Sequence, residues 1–140
     1  MCSSDLALYD INSPFLSFLH AKLSKGEPVN CFIDRLYSPT YSKDFLKTLD
    51  RIIMEKDNEC PLKIYHSCGE VLSRYDFALL YAKVFGFNTN LIQQCKYKQT
   101  DNLFLFPNLS MSNDLTYKQL QIDLTKTKTA LMEIKEKVKA

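Results

Sequence analysis

The stretch Gly69-Glu70-Val71-Leu72-Ser73-Arg74-Tyr75-Asp76-Phe77-Ala78-Leu79-Leu80-Tyr81-Ala82-Lys83-Val84-Phe85-Gly86 constrains the fold more than any other. It reads as a helix with both ends written in. Ser73 is a good N-cap, because its hydroxyl can accept an orphan N–H of the first turn. Asp76, three residues on, can reach back to complete a capping box and puts negative charge at the positive end of the helix dipole. Gly86 stands where a left-handed residue would close the helix. Between these ends, Phe77, Ala78, Leu80, Tyr81, Ala82, Val84 and Phe85 cover most of the circumference. A helix that is apolar nearly all round is buried.

A chain of 140 residues built around such a helix fits one domain, 1–140. Its 46% hydrophobic and 24% charged residues are ordinary for a globular protein. The net charge of +2 gives no basis for nucleic-acid binding. No apolar run approaches the ~20 residues of a membrane span, and residues 1–5 lack the features of a secretory leader. The five cysteines (Cys2, Cys31, Cys60, Cys68, Cys95) are odd in number and widely spaced. That suits reduced thiols in a cytoplasmic protein better than a disulfide framework. Cys60, His66 and Cys68 could be recruited to a zinc site, but no C-x-x-C is present, and buried Cys31 and Cys68 serve equally as small hydrophobes; no metal is expected.

In chain order, Ser13-Pro14 starts a helix whose stripe is Phe15, Leu16, Leu19 and Leu23 and which Gly26 stops. His20 on this helix is read as a surface or packing residue. Val29–Ile33 reads as a short strand and 36–41 as a loop around Pro39. From Ser42, the apolar residues Phe45, Leu49, Ile52 and Ile53 recur at helical spacing, with Lys43, Lys47, Asp50, Arg51 and Glu55 as the outer face. Residues 62–66 alternate like a second strand, and Leu91-Ile92 reads as a short helical turn. Residues 93–102 are polar without a pattern. Leu103–Pro107 reads as an extended segment, and Leu115–Leu120 as a short helix. The last helix, about 125–137, has a narrow apolar stripe (Leu124, Leu131, Ile134, Val138) and a lysine face. A membrane-surface role is conceivable for such a helix, but the narrow stripe without large aromatics favours a solvated face.

Several chemistries lack their motifs. Three glycines (Gly26, Gly69, Gly86) leave no G-x-G-x-x-G and no P-loop. There is no Tyr four residues before a Lys, no G-x-S-x-G and no H-E-x-x-H. Catalytic, cofactor-binding and metal-binding residues are therefore expected to be absent from this chain.

Particular motifs carry a family resemblance. The run Asp34–Asp44 resembles the D-x-x-x-S-P-T-x-x-x-D segment of dTDP-4-dehydrorhamnose reductases. Ile64–Glu70 followed by Ser73–Ala78 resembles that family's next strand and helix (H-x-x-G, then S-R-Y-E-F-A). Phe106-Pro107-Asn108-Leu109-Ser110-Met111 sits where the family usually reads R-P-x-N-x-x-L, with Phe106 in place of the Arg. The same segments occur in the regulatory beta subunit of methionine adenosyltransferase, a member of this extended short-chain dehydrogenase group. The resemblance covers most of residues 14–137.

It implies an α/β fold, an α-rich α+β fragment of about four to five helices with two to three short strands. This would be the C-terminal, substrate-side portion of a protein about twice as long, without the N-terminal Rossmann half. NADP or NAD would then enter only if a Rossmann half were supplied elsewhere. The implied ligand is a nucleotide sugar, with Asp34, Thr40 and Tyr41 as candidate contacts by motif position. Capping and strand-ending roles would explain the same residue types. Two functions follow as expectations: a non-catalytic sugar-nucleotide-binding portion, or a regulatory module that binds a methionine adenosyltransferase catalytic subunit. A self-standing oxidoreductase is the least supported, because hydride transfer needs a cofactor held against the substrate.

Overall fold

The structure is a computed structural model and describes residues 8–54, 64–97 and 108–139. In chain order it contains β1 (Leu8–Tyr9), α1 (Pro14–Ser24), β2 (Val29–Phe32), β3 (Leu36–Tyr37), β4 (Thr40–Tyr41), α2 (Ser42–Met54), β5 (Leu72–Ser73) and α3 (Arg74–Phe85). A 3₁₀ turn (Thr89–Leu91), β6 (Ile92–Cys95), α4 (Asp114–Leu120) and α5 (Thr127–Lys139) complete it. This is the expected α/β class with five helices. The strands are more numerous and shorter than the two or three expected.

The central helix α3 forms as its ends dictate. The Ser73 hydroxyl accepts the Asp76 N–H at 3.1 Å and donates to the Asp76 carboxylate at 2.6 Å. Gly86 closes the helix with φ 82°, and its N–H donates to Ala82. Phe77, Ala78, Tyr81 and Ala82 are buried. Around them pack Phe15, Leu16, Leu19 and Leu23 of α1 and Ala130, Leu131 and Ile134 of α5. The Tyr9 ring meets Phe77 edge-on at 5.2 Å. Pro14 takes the first turn of α1, but Ser13 makes no side-chain cap; it is buried beneath the helix start.

The strands form three separate pairs. β1 runs parallel to β4, β2 runs parallel to β6 with Val29 opposite Ile92, and β3 runs antiparallel to β5 with Leu36 opposite Ser73. Two segments read from the sequence as irregular are therefore partly strand. Residues 36–41 hold β3 and β4 on either side of Pro39, and the polar Gln93-Gln94-Cys95 belong to β6. Neither has an intrinsic strand signal; the ladder with a distant partner supplies the order.

The expected strand at 62–66 is not one in its described part, 64–66. Side chains occupy backbone groups that a neighbouring strand would take. The His66 N–H donates to the Thr116 hydroxyl at 2.9 Å, and the Thr40 hydroxyl donates to the Ser67 carbonyl at 2.9 Å. Leu62, Lys63, Cys60 and the segment 103–107 with Phe106 lie outside the described residues.

The largest departure concerns α2. Its period is helical as expected, but the buried side chains are Asp44 (1% exposed) and Thr48 (2%). Phe45, Leu46, Leu49, Ile53 and Met54 stay exposed, the last two at 72%. Hydrophobic spacing marks a face suited to being covered; it does not say that the same chain covers it. On α5, Leu131 and Ile134 are buried while Val138 is exposed. The lysines at and before it are partly engaged: Lys126, just before the helix, pairs with Glu70 at 3.3 Å, and Lys135 donates to the Val84 carbonyl at 2.6 Å.

Candidate functional site

Residues 34–44 pass from the end of β2 through β3 and β4 into α2, and their side chains tie this ribbon to four distant segments. The Asp34 carboxylate is exposed and accepts the Tyr97 N–H on both oxygens, at 3.1 and 3.0 Å, just beyond β6. The Ser38 hydroxyl exchanges two hydrogen bonds with the Met111 backbone, at 3.2 and 3.3 Å. Pro39 is fully buried, and its carbonyl lies so near Gly69 that a β-carbon there would stand 1.9 Å from the oxygen. Thr40 binds the Ser67 carbonyl. Asp44 holds residue 125.

Of the three candidate contacts, Thr40 and Tyr41 are buried and already engaged. The Tyr41 hydroxyl donates to Glu133 of α5 at 3.1 Å, and its ring packs on Tyr9 at 5.7 Å. Burial and the neighbouring Glu133 carboxylate push the Tyr41 pKa up. The Lys43 ammonium donates to the same carboxylate, and this hydrogen bond raises the lysine and lowers the glutamate. Asp34 is engaged on a different segment, at the exposed end of the β2–β6 pair. The three thus have separate partners: Tyr97 for Asp34, Ser67 for Thr40 and Glu133 for Tyr41.

The structure adds residues that sequence reasoning missed. In the β3–β5 ladder Leu36 faces Ser73, so Arg35, just before β3, and Arg74, the first residue of α3, flank the same end of that ladder. The Arg35 guanidinium lies 4.8 Å from the centre of the Tyr97 ring. The Arg74 guanidinium lies 5.4 Å from the Phe15 ring and 6.0 Å from the Tyr37 ring. Two guanidinium forks beside aromatic faces can serve phosphate oxygens and a planar base. Nothing in the sequence joins positions 35 and 74 until the ladder is known. Among the described residues no group of His, Cys, Asp and Glu has the arrangement of a metal site. Cys68 is buried, and its thiol contacts the Met111 carbonyl at 3.2 Å.

Short parallel and antiparallel pairs packed under five helices define an α/β domain of the reductase and epimerase fold. The chain belongs to the RmlD substrate binding domain family, whose model matches residues 7–139. Among solved structures it is similar to a dTDP-4-dehydrorhamnose reductase of Clostridium acetobutylicum, with TM-score 0.74 and 18% identity over 96% of this chain and 47% of that one. The dTDP-4-dehydrorhamnose reductase of Bacillus anthracis in complex with NADP gives TM-score 0.75 and 14% identity over 94% of this chain and 46% of that one. A UDP-glucuronic acid 4-epimerase of Bacillus cereus in complex with NAD gives 0.68 and 15% over 95% and 41%. No curated protein matches the sequence. The chain spans less than half the length of these solved proteins. No helix among the described residues is long and apolar enough to cross a membrane.

Proposed function

We propose that this chain is the sugar-nucleotide-side half of a dTDP-4-dehydrorhamnose reductase-like protein, non-catalytic by itself and completed by a dinucleotide-binding half. The observation that carries this reading is the outward apolar face of α2: Phe45, Leu46, Leu49, Ile53 and Met54. Each large apolar side chain removed from water contributes about 1.5–3 kcal/mol, so the face favours a partner domain. Ile64, also exposed, leads into a segment whose backbone is served by threonine side chains where a sheet neighbour would otherwise stand. The length of the reductases similar to this chain fits the same reading. Any NADP or NAD would then be held by the partner half. Cys68 and Cys95, which form no disulfide among the described residues, suit a cytoplasmic location.

The ligand in this reading is a nucleotide sugar. Arg35 and Arg74 face its phosphates and Tyr97 its base, while Asp34 fixes the Tyr97 backbone and Thr40 and Tyr41 hold the ribbon beneath. Titration calorimetry with a dTDP-sugar tests this. Saturable heat, weakened at least tenfold by Arg35→Ala, is expected; no heat at millimolar ligand would remove the nucleotide sugar from the proposal. For the partner, the immobilised chain is expected to retain a protein with a glycine-rich dinucleotide fingerprint, and the Leu49→Lys variant to release it.

A second reading is a regulatory module like the methionine adenosyltransferase beta subunit. The same apolar α2 face favours it, because it suits a protein partner whether or not a sugar nucleotide binds. Retention of a methionine adenosyltransferase catalytic subunit, with no heat from dTDP-sugars, would select this reading over the first.

A further inference from the structure

The helices α1, α3 and α5 leave a cavity of about 470 Å³ between them on the surface. This is within the size range of small-molecule sites, roughly 300–1,000 Å³. None of its lining residues belongs to the 34–44 ribbon, the Arg35–Arg74 pair or α2. Its accessible apolar wall is formed by Ile11, Phe85 and Val138 above a floor of the nearly buried Leu16, Tyr81 and Ile134, and its polar groups are Ser17, His20 and Lys137. Tyr81 and Phe85 stack at 4.3 Å with their planes 18° apart, which fixes the Phe85 ring at the cavity.

His20 is oriented by its neighbours. The Phe87 and Phe85 rings meet it edge-on at 5.3 and 6.1 Å, and the Tyr81 hydroxyl lies 3.0 Å from its Nδ1. Tyr81 is buried, and burial pushes its pKa up, so the phenol keeps its proton. A phenol is the stronger donor and an imidazole nitrogen the stronger acceptor. Nδ1 is thus engaged by Tyr81, and Nε2 is the ring nitrogen left to meet a ligand. The His20 imidazole and the Lys137 ammonium, on a cavity whose only other polar side chain besides the buried Tyr81 is Ser17, match an anionic head on an apolar body.

We propose that this cavity is a binding site for an apolar monocarboxylate, whose carboxylate is taken by Lys137 and His20 and whose hydrocarbon lies on Ile11, Phe85 and Val138. Titration calorimetry of the chain with decanoate and with 2-naphthoate tests the site and separates an alkyl from an aryl source. At least one acid is expected to bind saturably at one molecule per chain. Lys137→Glu should weaken it at least tenfold, and Ser17→Trp, which fills the cavity from an exposed helix position, should abolish it. Decanol or 2-naphthol, of the same shape without the charge, should bind at least tenfold more weakly. Lys118→Glu, the same charge change at an exposed position of α4 away from the cavity, should leave binding unchanged. Amide shifts in ¹H–¹⁵N spectra should cluster on α1, α3 and α5, and retained dispersion in each variant shows that it has folded. The proposal is overturned if neither acid saturates below millimolar concentration, if folded Lys137→Glu and Ser17→Trp bind like the parent, or if the neutral analogues bind equally well.

Discussion

The Asp44 carboxylate accepts both the N–H and the hydroxyl of Thr125, at 2.9 and 2.7 Å, joining residues 81 positions apart. Asp44 is fully buried in the first turn of α2, with Lys47 3.3 Å from one oxygen. It is also the last residue of the motif that begins at Asp34. Hydrogen bonds to a charged group contribute about 1.5–3 kcal/mol each, and removing the acceptor strands two donors. Asp44→Ala is expected to destabilise the chain by about 3 kcal/mol in urea unfolding, and Asp44→Asn by less. An unchanged midpoint would mean that residue 125 is anchored by other means.

The contact between Gly69 and Pro39 gives a sharper test, because backbone meets backbone. A β-carbon at 69 would stand 1.9 Å from the Pro39 carbonyl oxygen, so the two segments must separate. Gly69→Ala should cost about 3 kcal/mol, at the upper end of overpacking penalties. Gly26→Ala is the control. Its φ of 70° is unfavourable for alanine, but nothing lies within 4 Å, and about 1 kcal/mol is expected.

The cap of α3 is open to the same measurement. Ser73→Ala removes the acceptor of the Asp76 N–H and should lower stability by about 1 kcal/mol. Restoration by Ser73→Thr would assign the loss to the hydroxyl.

Acid stability follows from Glu70 and Glu133. Burial raises the Glu70 pKa, but the Thr127 N–H at 2.7 Å, the Thr127 side chain and Lys126 outweigh it, and the net shift is downward. The Lys43 hydrogen bond is the main cause that lowers Glu133. A carboxylate depressed in the folded state stabilises above its unfolded pKa, about 4.5, and the contribution is lost as pH falls through the folded value. The melting temperature should therefore drop below about pH 4.5. Glu70→Gln should start lower and show a shallower fall; a parallel curve would exclude Glu70 as a contributor.

The exposed face of α2 makes the opposite prediction to a core. Leu49→Lys and Ile53→Lys should leave the urea midpoint of the isolated chain within about 0.5 kcal/mol, as surface substitutions do. They should also reduce the fluorescence of an apolar dye. A loss of several kcal/mol would show that the face is covered within the chain.

Much of the fold was legible because its signals are local. Ser73, Asp76 and Gly86 bound α3, Pro14 starts α1, and Phe15, Leu16, Leu19 and Leu23 form the buried stripe expected. The strand at Val29–Phe32 and the helix from Ser42 also stand where periodicity put them. The candidate site was less legible. The motif identified the ribbon 34–44, but residue types could not distinguish contact from scaffold, and Thr40 and Tyr41 make internal hydrogen bonds that no local rule encodes. The Arg35–Arg74 pair was hidden for the same reason.

By itself, the sequence determined which long stretches are helical and where α3 begins and ends, because caps, prolines and apolar spacing act within a few residues. It also determined the family, through the order of its motifs. Only the tertiary structure decided which face of α2 is buried, that the polar residues of β6 form a strand, and that 64–66 do not. Those outcomes depend on pairing and covering by segments distant in the chain. The helix at 74–85 was complete in its own residues; its core position became definite only with α1 and α5 packed around it.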